Sequence, residues 1–265
     1  MSTKINADRL QEDLHTKRFG KMIFFKREVD STNEWAKELA KHGLEEGTVV
    51  VAETQTSGRG RLSREWFSPR GGLWFSVILR PKIRAAQAVR LVFVAGLSVT
   101  EVLHEKYGLE IETKWPNDVL VNGKKICGIL TEMNTTGEKI NFVVVGIGVN
   151  ANFVVGDFLP AQLQGSATSL KDELGRKVLF EDLLGTMLEK LETEYDSFMS
   201  GEYSSLLDKW KSYAKFLGRR VEIASENKVF NGLALDVDRD GALILKLEDG
   251  MIKHVFAGDF SVRTN

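Results

Sequence analysis

The chain has 265 residues, 43% hydrophobic and 28% charged, and its 36 Lys and Arg against 37 Asp and Glu give a formal net charge of -1. This is globular composition with ample length for a core, too apolar for disorder and without the broad basic field of a protein that holds nucleic acid along one face. A single cysteine, Cys127, excludes an intrachain disulfide and a cysteine-based zinc cluster, and is expected of a chain in a reducing, cytoplasmic compartment.

Met1 to Gly20 mixes charged and polar residues, with Leu10 and Leu14 at helical spacing, and has no apolar run of a signal peptide. Met22–Lys26 and Thr48–Glu53 read as strands, separated by a helix through Trp35, Leu39 and Leu44. A third strand, Leu73–Arg80, stops at Pro81. From Ala85 to Lys106 apolar and small residues recur at three and four positions, the period of one long helix packed on a sheet. Ile111–Trp115, Asp118–Val121, Ile126–Glu132 and Asn141–Val149 follow as β runs, broken by Asn122-Gly123 and by Asn134–Glu138. The longest apolar stretches, such as Phe142–Val149, are too short to cross a bilayer, so a chain that is neither secreted nor membrane-spanning is expected.

From Thr168 the pattern turns helical, with one helix over Phe180–Phe198 and a second near Tyr203–Phe216. The last segment alternates short strands, Arg220–Ala224, Lys228–Leu235, Ala242–Leu247 and Ile252–Val255, with turns at Asp240-Gly241 and Asp249-Gly250. The expected architecture is α+β: a mixed, mostly antiparallel sheet with packed helices over residues 1–216, and a small C-terminal β-barrel over 217–265.

Common signatures fail. There is no Gly-x-x-x-x-Gly-Lys, and Gly146-Ile-Gly148-Val-Asn150 lacks both the third glycine and the following helix of a dinucleotide fingerprint. His15, His42, His104 and His254 are scattered, without metal-ligand spacing. Three local elements remain. In Gln55-Thr-Ser-Gly58-Arg59-Gly60-Arg61, followed by Trp66, glycines let the backbone approach an anion while guanidinium groups offer planar donors; a solvated basic loop and an RNA-binding loop are the other readings. Ser31-Thr32-Asn33, before the Trp35 helix, fits a capping box with Glu34 and also gathers donors and acceptors suited to a polar uncharged group such as a urea. In Lys114-Trp-Pro-Asn117-Asp118, with Lys125 across a hairpin turn, Asp118 suits Mg²⁺ and Lys125 a carboxylate or phosphate, although a plain turn explains the Pro-Asn-Asp as well.

In this order, Ser31-Thr-Asn33, Gly58-Arg-Gly-Arg61, Lys114-Trp-Pro-Asn-Asp118, Lys125 with Gly128-Ile-Leu130, and Gly146-Ile-Gly-Val-Asn150 resemble the biotin protein ligase family over nearly the whole chain from about Phe25. The resemblance implies a class II synthetase-like catalytic domain and an SH3-like C-terminal barrel. It implies that biotin and MgATP form biotinyl-5′-AMP and pyrophosphate, and that the adenylate acylates a lysine of a biotin carboxyl carrier domain. It also implies that Ser31, Thr32, Asn33 and Gln55 hold biotin together with Arg59, Gly60, Arg61 and Lys125. Arg59, Arg61, Trp66, Asn117, Lys125 and Asn150 would contact ATP, and Asp118 would hold Mg²⁺. Arg61, Lys125 and Asp118 would then carry the catalysis, with Ser57–Gly72 acting as a lid over a labile mixed anhydride.

Some members of the family carry an N-terminal helix-turn-helix. Here the first motif strand starts near Met22, so a monofunctional ligase without sequence-specific DNA binding is expected, with a homodimer left open. The alternatives are a lipoate or octanoate ligase or transferase of the same architecture, and a noncatalytic biotin- or RNA-binding module. For the transferase, Cys127, two residues from Lys125 on the same strand face, would be the acyl carrier.

Overall fold

The structure, a computed structural model, describes residues 10, 13–225 and 228–262. β1 (Ile23–Val29), β2 (Val49–Gln55), β3 (Leu73–Leu79), β4 (Ile111–Lys114), β5 (Asp118–Val121), β6 (Lys124–Thr136) and β7 (Lys139–Val149) form one sheet in the order β1-β2-β3-β7-β6-β5-β4. β1 and β2 are parallel, which requires a crossover, and α1 (Thr32–Lys41) supplies it. Every other neighbouring pair in this sheet is antiparallel, giving the mixed, mostly antiparallel sheet that the hairpin signals predict.

Every residue of β3 is buried, because both faces of the central strands are covered. On one face Ala36 and Ala40 of α1 pack against Val50, Ile78, Phe142 and Val144. On the other, α2 (Leu91–Tyr107) and α6 (Phe180–Met199) cover Val49, Val51, Phe75, Val77, Val143 and Val145. Each such side chain contributes about 1.5–3 kcal/mol when fully buried. This two-sided burial is therefore the main hold on the strands that carry the site.

Several boundaries differ from the sequence reading for local reasons. α1 ends at Lys41 and does not reach Leu44, because Gly43 adopts φ +90 and turns the chain back. The Arg80 guanidinium then donates to the carbonyls of Ala40 (2.7 Å) and Leu44 (2.8 Å), satisfying the helix end. The stretch read as one helix from Ala85 is a 3-10 segment, Ala85–Arg90, followed by α2. By length and composition Ala85–Tyr107 is apolar enough to cross a membrane, contrary to the expectation that no stretch is; 78% of its most apolar window is buried inside the protein. β6 runs on to Thr136 through a bulge near Asn134, and the hairpin turns at Gly137. α7 (Tyr203–Ser212) stops short of Phe216. Short helices α3 (Val155–Phe158), α4 (Ala161–Gln164) and α5 (Leu170–Leu174) carry no periodic pattern of their own.

A second sheet joins β8 (Arg220–Ser225), β9 (Lys228–Val237), β10 (Leu243–Leu247), β11 (Ile252–Val255) and β12 (Asp259–Val262) in the order β11-β10-β9-β8-β12, all antiparallel. β12 is additional to the strands read from sequence. The β9–β10 turn rests on the first unit: Trp115 Nε1 donates to the Gly241 carbonyl at 2.9 Å and Arg90 pairs with Asp240 at 3.1 Å.

Candidate functional site

Directly opposed residues in antiparallel strands share a face, so the registers define what lines the sheet beside the start of α1. One row runs Asp118, Gly128, Gly148, Trp74 across β5, β6, β7 and β3. The next runs Leu130, Gly146, Ser76, and the third, Glu132, Val144, Ile78, passes under α1. Where most strands would place side chains, the first two rows place glycines. The result is a cavity of about 300 Å³ lined by Ser31, Thr32, Asn33, Gln55, Arg59, Gly60, Arg61, Trp66, Asn117, Asp118, Lys125 and Asn150, all the residues that the resemblance assigns to biotin, ATP or metal.

Ser31 occupies the N-cap position of α1 in extended backbone, yet its side chain makes no capping hydrogen bond. The expected Ser31–Glu34 capping box does not form, because Glu34 turns outward to Lys37 and Arg59. Thr32 donates from its backbone N–H (2.8 Å) and its hydroxyl (3.1 Å) to Gln55 Oε1, and Gln55 Nε2 donates to Ser68 Oγ at 2.7 Å. Asn33, 3% exposed, donates from Nδ2 to Glu132 Oε2 (2.8 Å) and the Leu130 carbonyl (3.2 Å). Its Oδ1 lies 2.7 Å from Ser76 Oγ. These short polar side chains are therefore held in set orientations at the cavity wall.

The Gly-Arg loop folds as a closed excursion between β2 and β3. Gln55 bridges Ser68, Arg59 bridges Glu65, and Trp66 N–H donates to the Gly58 carbonyl at 2.9 Å. A Cβ on Gly58 would lie 2.3 Å from the Trp66 carbonyl oxygen, so this close approach requires glycine. Arg61 Nη1 reaches Asn117 Oδ1 at 3.5 Å, while Arg59 turns to Glu34 at the rim. Trp66 lies over Gly148, its Nε1 without a hydrogen-bond partner among the described residues.

Lys125 Nζ sits 2.7 Å from Asp118 Oδ1 and 4.8 Å from the Trp66 ring centroid. Asn117 Nδ2 is fixed to the Ile129 carbonyl (2.8 Å), and Asn150 Nδ2 to the Thr168 carbonyl (2.9 Å), so both tie the cavity wall together as well as line it. Cys127 corrects the sequence reading. β6 pairs Val119 with Cys127 but Leu120 with Lys125, so Ile126 is an extra, bulged residue and the two side chains point to opposite faces. Cys127 is fully buried in the core and absent from the cavity lining, and burial pushes its thiol up, away from a reactive thiolate. An acyl-cysteine route has no nucleophile here.

Among the described residues no three His, Cys, Asp or Glu side chains gather into a metal cluster. A lone carboxylate such as Asp118 suits Mg²⁺, which keeps waters and substrate phosphates as its other ligands. Gly128, Gly146, Gly148, Ser76 and Glu132 were not singled out as site residues. Gly128, Gly146 and Gly148 stand in the sequence only as parts of motifs, since a missing side chain signals no chemistry until the register shows what occupies its space.

Sequence and structure comparisons show what the chain is similar to. The Biotin/lipoate A/B protein ligase family matches residues 24–150, and the Biotin protein ligase C terminal domain matches 216–263. The Bifunctional ligase/repressor BirA of Bacillus subtilis is 36% identical over 260 residues, 98% of this chain and 79% of that protein. The Biotin--[acetyl-CoA-carboxylase] ligase of Paracoccus denitrificans is 35% identical over 226 residues, 82% of this chain and 91% of that one. The structure of the Aquifex aeolicus biotin protein ligase in complex with biotin and ATP superposes with a TM-score of 0.79 at 32% identity, covering 92% of this chain and all (100%) of that one.

Proposed function

The chain belongs to the biotin protein ligase family, and from that premise we propose how its cavity serves the reaction. It activates biotin with ATP to biotinyl-5′-adenylate and pyrophosphate, then transfers the biotinyl group to a lysine. The acceptor is a biotin carboxyl carrier domain of a carboxylase, the class of substrate in the name of the Paracoccus relative. One observation carries the assignment of roles: residues from separated segments, each chosen for its chemistry, line a single cavity of about 300 Å³.

On this reading Ser31, Thr32, Asn33 and Gln55 bind the uncharged head group, whose ring rests on the Gly146–Leu130 row. Lys125 meets the carboxylate and the α-phosphate, Arg61 the phosphates, and Trp66 the adenine. The biotin carboxylate oxygen forms a bond to the α-phosphorus as the bond to pyrophosphate breaks. Arg61 and Lys125 offset the charge that two anions bring together and that develops on the phosphoryl oxygens. Asp118 would hold Mg²⁺, which would supply further charge neutralisation there. In the second step the acceptor amine attacks the acyl carbon, AMP leaves, and the amine loses a proton. The acceptor lysine is itself the nucleophile, consistent with a cavity into which Cys127 does not project.

Lys125→Ala removes the cation that serves both reactants, and adenylate formation is expected to fall by about 10²-fold or more. Thermal unfolding of the variant reports whether loss of the Asp118 partner has disturbed the fold. A folded variant that makes adenylate at the normal rate contradicts the role given to Lys125.

A further inference from the structure

Glu132 belongs to the row that passes under α1, beyond the glycine rows that form the cavity floor, and it is not a cavity-lining residue. It is nevertheless bonded to one that is. Its Oε2 accepts from Asn33 Nδ2 at 2.8 Å, and its Oε1 is 2.8 Å from Lys37 Nζ. Lys37, one turn along α1 from Asn33, also reaches Glu34 Oε1 at 2.7 Å. The same Glu34 oxygen receives Nη1 of Arg59. A continuous chain of charge-assisted contacts thus runs from the head-group wall to the Gly-Arg loop.

The chemistry of the Asn33 amide gives this chain a task. An amide can present either its oxygen or its nitrogen to a ligand, and rotation by half a turn exchanges them. Here the nitrogen faces two acceptors, Glu132 and the Leu130 carbonyl, while Ser76 Oγ lies beside the oxygen. An ionised carboxylate accepts and never donates, so it holds only the nitrogen side. The remaining lone pair of Oδ1 is then available to an N–H donor. Lys37 Nζ donates to the other oxygen of Glu132, and burial of its ammonium is outweighed by the hydrogen bonds to Glu132 and Glu34, which raise its pKa. Glu34 is correspondingly lowered, first by its hydrogen bond from Lys37.

We propose that Glu132, clamped by Lys37, is a positioning residue that fixes Asn33 with its oxygen toward an N–H of the biotin ureido ring, and that Glu34 and Arg59 extend this clamp to the loop over the cavity. The inference rests on the head-group role given to Asn33 above. It separates specificity for a urea from the phosphate chemistry, since Glu132 lies on the third row and Asp118 on the first.

The test is the Glu132→Gln variant, which keeps the shape but allows its own amide to donate, so that Asn33 loses its set orientation. Losing one charged acceptor is expected to raise KM for biotin by about tenfold or more, with KM for ATP and kcat for adenylate formation within about twofold of the parent. Lys37→Met is expected to move KM for biotin in the same direction by less, and Lys37→Arg to restore it. Glu34→Gln weakens the contacts to Arg59 and Lys37 but leaves the Glu132 bonds to Asn33 and Lys37 in place, and is expected to increase escape of biotinyl-adenylate into solution with a smaller rise in KM for biotin than Glu132→Gln gives. A uniform fall in kcat with biotin KM unchanged in Glu132→Gln overturns the proposal. So does insensitivity of biotin KM to Lys37→Met if Glu132→Gln fails to fold. If the unmodified protein shows no biotin-dependent adenylate formation, the failure belongs to the reading of the site and not to the clamp.

Discussion

At Gly146 the ideal position of a Cβ lies 2.1 Å from Asn33 Oδ1, and at Gly148 it lies 2.6 Å from Trp66 Nε1. Real side chains do not come so close, and in both places the neighbour is itself a cavity wall. The two glycines are on one face of one strand, yet each would disturb a different partner. Gly146→Ala is expected to displace Asn33 and raise KM for biotin by about tenfold, whereas Gly148→Ala is expected to shift Trp66 and raise KM for ATP, at an overpacking cost of about 1–3 kcal/mol each. Steady-state kinetics with each substrate varied in turn checks this, and equal effects of both changes on both substrates would contradict the assignment. The candidate side chains were legible in the sequence: Ser31, Thr32, Asn33, Arg61, Asp118 and Lys125 all line one cavity. The glycines between them were visible as a motif but not as a floor, because only the register of β6 and β7 puts Gly128 opposite Gly148 and Gly146 opposite Leu130.

Among the elements, α1 and the Gly-Arg loop illustrate what local pattern does and does not determine. The helix start was readable from Asp30-Ser31-Thr32-Asn33, but the use of Ser31 was not, since Glu34 is drawn away from the backbone by Lys37 and Arg59 on either side. β6 was readable as a strand, but counting by twos across Lys125 and Cys127 put them on one face, and the bulge at Ile126 puts them on two. The loop from Ser57 to Gly72 is held at its neck by the Gln55–Ser68 bridge and at its rim by Arg59 and Glu34, while its tip carries Leu62 exposed to 62% and in the left-handed region at φ 54. An element pinned at one side and exposed at the other suits the lid role that the family resemblance implies. Arg59→Ala removes the rim contact. It is expected to increase release of biotinyl-adenylate to solvent several-fold, measured as the acid-labile product found free of protein, and unchanged retention would show that the loop does not protect the intermediate.

Over the whole molecule the two sheets meet at the site rather than apart from it. The β9–β10 turn holds Trp115, the residue before Pro116-Asn117-Asp118, through the Gly241 carbonyl, and Gly258 of the second sheet's last turn lines the cavity itself. Fold class and the existence of a C-terminal β unit were legible because turn dipeptides and alternation are local signals. The contact between the units was not, because a tryptophan N–H meeting a distant carbonyl leaves no pattern along the chain. The central claim is that this cavity couples a urea-bearing acid, recognised by Asn33 and its neighbours, to ATP through Lys125 and Arg61. The measurement that tests it most directly is exchange of labelled pyrophosphate into ATP with Mg²⁺, with biotin, lipoate or octanoate as the acid. Exchange supported by biotin alone is the predicted result; exchange driven by lipoate or octanoate, or by no acid of the three, would contradict it.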